Sequence, residues 1–89
     1  MSGFELHLTL PSDARYCETL RAVAAHAAYH AGCREERAAR FASEVEDAMR
    51  SCLDGEAPPL GIAFRQADDR LEVVLTLGTR IARTLQIDV

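Results

Sequence analysis

The clearest indication of the fold is the segment GCREERAARFASEVEDAMRSCLDG, residues 32–55. Glu35 and Glu36 lie where a helix would begin, and the helix dipole favours negative charge in that first turn. Apolar side chains then recur every three or four residues, which is the spacing of one helical face. We therefore predict a helix over residues 35–53. Its buried stripe comprises Ala38, Phe41, Val45, Ala48, Met49 and Cys52.

A second helix is predicted on the N-terminal side, over residues 13–31. Ser12 or Asp13 can cap its start by accepting the free amide hydrogens of the first turn. Gly32 can end it, because glycine adopts the left-handed conformation of a helix C-terminus at little cost. The apolar stripe of this helix comprises Tyr16, Leu20, Val23, Ala24, Ala27 and Ala31.

Alternating apolar and polar side chains predict three strands. The first covers residues 4–10 and ends at Pro11. The other two, residues 60–65 and 71–77, flank a polar turn at residues 66–69 and form a β-hairpin. The strand pattern directs Phe4, Leu6, Leu8, Leu10, Leu60, Ile62, Phe64, Leu71, Val73, Leu75 and Leu77 towards the core.

The tail after Gly78 allows two interpretations. One is a short helix that carries Ile81, Ala82 and Leu85 inward, and the other is a fourth strand over residues 84–89. Since each strand has one apolar face and each helix one apolar stripe, the order β-α-α-β-β predicts an α+β two-layer sandwich. Both helices then cover one face of a small sheet. The opposite, solvated face carries Glu5, His7, Thr9, Arg65, Glu72 and Thr76.

Length and composition indicate a single domain over residues 1–89. With 48% hydrophobic and 27% charged residues, the chain is typical of a soluble globular protein. A net charge of −4 argues against nucleic-acid binding, which requires a basic face. We expect no membrane span and no signal peptide. The odd number of cysteines (Cys17, Cys33 and Cys52) is typical of free thiols in a reducing cytoplasm, which is the expected location.

Several phrases of the chain resemble those of a known family. The opening FELHLTLPSDARY, the helix end AAYHAG at residues 27–32 and the acidic entry REER at residues 34–37 come in the same order as in the histidine-kinase-like ATPase fold. Within that fold, the chain is most similar to the bacterial anti-sigma-factor serine kinases. The resemblance covers residues 4–77 and implies a histidine-kinase-like domain.

The resemblance assigns two candidate site residues on the second helix. The family carries Glu-Ala-x-x-Asn-x-x-x-His there, and alignment on Gly32 puts Asp47 at the Glu, Ala48 at the Ala, Ser51 at the Asn and Gly55 at the His. In the family, the Asn oxygen binds the magnesium ion that bridges the ATP phosphates, and the Glu polarises water. Here the carboxylate arm is shorter and the amide is replaced by a hydroxyl. Asp47 and Ser51 would thus form a degenerate nucleotide and magnesium site.

Two further elements of the family pattern do not occur here. The family follows its third strand with Asp-x-Gly-x-Gly, which reads adenine, and with a glycine-rich lid over the phosphates. This chain continues from VVLTL to Gly78 and TRIARTLQIDV, and that tail resembles the helix which the family places after the lid. The expected function is therefore a non-catalytic regulatory or protein-interaction module without a cofactor. The resemblance implies a sigma factor or an anti-sigma antagonist as partner, and a homodimer through the first strand and helix.

Other functions are weighed against this one. The first alternative is an ATP-binding serine kinase that holds ATP and Mg²⁺ through Asp47 and Ser51, completed by a second chain. A second is an unrelated module whose helix matches by chance. The spacing of His26, His30 and Cys33 would suit a zinc site, but surface histidines are the commoner explanation. Cys17 as a nucleophile would need a neighbouring base, which the sequence does not reveal.

Overall fold

A computed structural model describes residues 3–53 and 58–88. A 3₁₀ turn at Ala14–Tyr16 leads into the first helix. Gly55, which aligns with the family His, and the final residue Val89 lie outside the described residues. The elements are β1 (Glu5–Leu10), α1 (Cys17–Ala31), α2 (Glu35–Cys52), β2 (Leu60–Ala67), β3 (Arg70–Leu77) and β4 (Arg80–Asp88).

The four strands form one sheet in the order β1-β2-β3-β4, and every neighbouring pair is antiparallel. The two helices lie between β1 and β2 in the chain and cover one face of the sheet. The predicted α+β two-layer sandwich is confirmed. The core between the layers holds Cys17, Leu20, Ala24, Ala27, Ala28, Cys33, Ala38, Phe41, Ala42, Val45, Ala48, Met49, Leu60, Ile62, Phe64, Leu71, Val73 and Leu75.

The tail forms β4, so the helical interpretation is wrong, as is the likeness to a helix that follows a lid. β4 begins at Arg80, four residues before the predicted strand, after a turn in which Gly78 has φ 65°. A strand here pairs the backbone groups of β3 that would otherwise lack partners. The register shifts between Leu75 and Thr76, and this bulge turns Ile81 away from the helices, where 63% of it is exposed.

The predicted end of the first helix at Gly32 is confirmed, whereas its start differs, because α1 begins at Cys17 after a 3₁₀ turn that Asp13 caps. A carboxylate oxygen of Asp13 accepts a hydrogen bond from the Arg15 backbone N–H at 2.9 Å, as an N-cap does. Gly32 has φ 114° and closes α1, with the Cys33 N–H donating to the Ala28 carbonyl at 3.0 Å. The predicted cap residue Ser12 instead donates its hydroxyl to the Pro58 carbonyl, which ties the start of α1 to the start of β2.

The inward face of β1 is less buried than the alternation predicts. Phe4, Leu8 and Leu10 are half-buried, and 41% of Leu6 is exposed. The reason is position, because β1 is an edge strand and its outer side has no neighbouring strand. This leaves an apolar margin along β1 and α1 at the surface.

Candidate functional site

The two residues that the sequence assigns to a nucleotide site lie one helical turn apart on α2. Asp47 and Ser51 are both exposed. The Ser51 hydroxyl donates to the Ala48 carbonyl at 2.8 Å and accepts from Arg83 Nη1 at 3.2 Å. Arg83 comes from β4, where its register partner is the buried Leu75, so its side chain lies on the helix-covered side of the sheet. The serine hydroxyl is thus engaged within the protein.

This arrangement is poorly suited to magnesium. Mg²⁺ prefers several oxygen ligands in octahedral geometry, and a guanidinium 3.2 Å from Ser51 Oγ adds positive charge at that point. Within residues 3–53 and 58–88, no group of three or more His, Cys, Asp or Glu side chains could hold a metal ion. His26 and His30 are exposed whereas Cys33 is buried, so the structure does not bring this suggested zinc set together. The His30 ring instead packs edge-on against Phe4, with centroids 5.3 Å apart.

The surroundings of Cys17 and Cys33 are not those of a nucleophile. Cys17 and Cys33 are buried, and burial raises the pKa of each thiol above its ordinary value. A thiol with a raised pKa is protonated at neutral pH, whereas nucleophilic attack requires the thiolate. These two cysteines are therefore core residues.

An ion-pair cluster joins the two helices. Glu46 contacts Arg50 at 3.1 Å and Arg21 of α1 at 3.8 Å, and only 13% of the Glu46 side chain is exposed. A bridge that joins neighbouring helices holds them in register. In this cluster one carboxylate contacts two guanidinium groups, which links α1 to α2.

α1 borders a surface groove that the sequence did not predict. A groove of about 480 Å³ runs between α1 and the free edge of β1, and its wall includes the exposed Leu6. Its polar boundary is formed by Glu5, His26 and His30. The remaining lining residues are apolar: Phe4, Ala22, Val23 and Ala27.

A second groove, of about 450 Å³, lies between α1 and α2 and shares His26 with the first. Tyr29 stands beside it with 66% of its surface exposed. The two grooves form one continuous surface, which we call the α1 surface. It comprises Phe4, Leu6, Ala22, Val23, Ala25, His26, Tyr29, Ala38 and Ala39.

Charge distribution separates α1 from α2. α1 carries two charged residues in 15, Glu18 and Arg21, whereas α2 carries eight in 18. A helix with few charges on any side is typical of one that is covered on more than one side. The apolar stripe predicted for α1 covers only its inward side. The additional signal in the sequence is that the exposed Ala22 and the half-buried Ala25 are also apolar.

Comparison with known protein families finds none that matches the chain, and no characterised protein matches it either. None of the described helices has the length and apolar character needed to cross a bilayer.

Proposed function

We propose that this chain is a non-catalytic regulatory module of the bacterial cytoplasm, and that it binds another protein through the α1 surface. The observation that carries the proposal is the largely apolar surface formed by the two grooves beside α1, which meet at His26. Large exposed apolar patches that are rimmed by polar residues mark protein interaction sites. Tyr29 supplies a large exposed aromatic side chain of the kind that anchors such contacts, and Leu6 adds exposed apolar surface.

The chemistry at Asp47 and Ser51 supports a non-catalytic function over the kinase alternative. A kinase would have to hold magnesium and ATP phosphates at these residues, but Ser51 is already bonded to Arg83 and to the Ala48 carbonyl. Arg83 already occupies one of the two lone pairs of Ser51 Oγ, and its positive charge opposes the binding of a cation there. The resemblance to anti-sigma-factor kinases favours a sigma factor or an anti-sigma antagonist as the partner.

The test uses Ala22, an exposed residue that lines the groove beside β1. A photo-crosslinking amino acid at position 22, in the full chain expressed in its native cell, should capture one protein that the same group at Ala14 does not. Ala14 is a matched control because it is also an exposed alanine, and it lies in the 3₁₀ turn outside the α1 surface.

The captured protein is then purified and its affinity is measured directly. Ala22→Glu should weaken binding at least tenfold, because it buries a charge in an apolar interface, and tenfold corresponds to about 1.4 kcal/mol. Ala14→Glu should leave the affinity unchanged. Equal capture at both positions, or unchanged affinity of Ala22→Glu, would contradict the proposal.

A further inference from the structure

The sheet face opposite the helices is organised in three rows that run across all four strands. Strand register defines these rows, because residues paired across antiparallel strands lie on the same face. We call this surface the open face. Its rows are Glu5–Arg65–Glu72–Gln86, His7–Ala63–Val74–Thr84 and Thr9–Gly61–Thr76–Ile81.

The open face is flat on β2 and apolar at one corner. β2 contributes only Gly61 and Ala63 to the second and third rows, so no bulky side chain projects from its centre. Thr76 fills the space above Gly61, where an added Cβ would lie 2.5 Å from Thr76 Oγ1. Ile81, at the β4 end of the last row, is 63% exposed. A flat sheet surface with an exposed isoleucine is suited to packing against another sheet.

The order of charges along the first row is complementary to itself. A two-fold axis parallel to the strands, between β2 and β3, would place each row over the same row of a second copy in reversed order. Arg65 then faces Glu72 of the second copy, and Glu72 faces its Arg65, while Glu5 faces Gln86. Two interfacial ion pairs result, with no like charges directly opposed. Arg65 Nε lies 3.4 Å from a Glu5 carboxylate oxygen of its own chain, so each Arg65 would bridge that Glu5 and Glu72 of the second copy. A two-fold axis perpendicular to the strands, also lying between the two sheets, would instead place this row over the Thr9 row, which carries no charge.

The same axis also matches side-chain sizes. Ala63 would lie over Val74 and Thr9 over Ile81, so that a smaller residue meets a larger one at both positions. Interdigitation of this kind is what packs two sheets about 10 Å apart.

The area of the open face indicates how tightly two copies could bind through it. Four strands about 4.8 Å apart, with about six residues each at about 3.3 Å per residue, cover roughly 400 Å² per copy. Two copies together would bury roughly 800 Å², which is less than the roughly 1,200 Å² of the smallest stable interfaces, so we expect a weak and transient dimer.

We propose that two copies of this chain associate open face to open face about this axis. The dimer surface lies on the side of the sheet away from the helices, so it is separate from the α1 surface. Its test is therefore independent of the test for the captured partner.

Sedimentation velocity of the full chain over a concentration series provides the test. The unmodified chain should show a reversible monomer–dimer equilibrium. Arg65→Glu would place a carboxylate opposite Glu72 of the second copy. Glu72→Arg would place a guanidinium opposite Arg65 of the second copy. Each variant alone should raise the dimer dissociation constant at least tenfold. Arg40→Glu, an equal charge reversal on the exposed side of α2, should leave it unchanged.

An equimolar mixture of Arg65→Glu and Glu72→Arg supplies the decisive observation. Across the proposed interface the mixed pair restores two opposite-charge contacts, so the heterodimer should form at the affinity of the unmodified chain. Mixing cannot restore any contact within one chain, and recovery also shows that both variants are folded. A monomer at every concentration, dimers of both single variants with unchanged affinity, or a mixture without recovery would each overturn the proposal.

Discussion

The substitution Gly32→Ala tests the backbone geometry that sets α1 against the sheet. Gly32 has φ 114° and ψ 4°, and its N–H donates to the Tyr29 carbonyl at 3.1 Å. Cys33 follows directly, is buried in the core, and donates to the Ala28 carbonyl at 3.0 Å. Since these contacts hold the backbone on both sides, residue 32 cannot relax to negative φ without moving Cys33.

The magnitude follows from backbone strain alone. A Cβ added at Gly32 meets nothing within 4 Å, so the substitution introduces no steric clash with the rest of the chain. Placing an L-residue in the left-handed region costs about 1–2 kcal/mol. We expect Gly32→Ala to lower the free energy of unfolding by about that amount. For a domain of this size, each 1 kcal/mol corresponds to roughly 4–8 °C in Tm.

A mirror-image control separates strain from any effect of the added methyl group. The chain can be assembled by native chemical ligation between residues 32 and 33, because residue 33 is a cysteine. D-alanine at position 32 is compatible with positive φ and restricts the unfolded chain. It should therefore stabilise the protein by about 0.4–1 kcal/mol.

Urea unfolding of the three assembled chains, followed by circular dichroism, measures these differences. The chain with glycine at position 32 is the reference. If L-alanine and D-alanine had the same effect, or if L-alanine changed the free energy of unfolding by less than about 0.5 kcal/mol, the reasoning from φ would be refuted.

Two further predictions concern nucleotide binding at Asp47 and Ser51, and the pH dependence of the stability that Asp13 contributes. Calorimetric titration with ATP and Mg²⁺ should show no binding tighter than about 1 mM; tighter binding that Asp47→Ala abolishes and Arg83→Ala strengthens would favour the kinase alternative instead. Arg15, through its backbone N–H and guanidinium, lowers the pKa of the Asp13 carboxyl below its ordinary value. The stabilisation from Asp13 should therefore be complete above pH about 3.9 and be lost as the pH falls through the lower folded pKa. Urea unfolding at several pH values should show Asp13→Ala less stable at pH 7, with the difference disappearing in acid; a difference that persists in acid would contradict this.

Several elements could be predicted because their signals are local. The α2 stripe at Phe41 and Val45 follows from spacing, and the end of α1 at Gly32 follows from the conformational freedom of glycine. The hairpin follows from two alternating segments, although its turn is shorter than predicted because β2 continues to Ala67. The conformation of the tail was ambiguous, since Ile81, Ala82 and Leu85 suit either a short helix or a strand.

The surroundings of the candidate site could not be predicted from the sequence, for a different reason. Asp47 and Ser51 do share one side of α2, as their spacing requires. The contact that engages Ser51 comes from Arg83, which is 32 residues away in the chain. No local pattern indicates such a contact, because it depends on where β4 lies relative to α2.

Helix and strand periodicity, together with capping and turn residues, are properties of short segments, and from them the sequence determines the elements and the two-layer arrangement. Strand register and helix coverage join distant segments, and the tertiary structure alone decides them. Register places Arg65 beside Glu72 and Glu5 in one row of the open face. Partial coverage of the edge strand leaves Leu6 exposed beside α1. Both proposed surfaces depend on these non-local pairings, since a shift of one residue in a strand would turn its side chains to the other face.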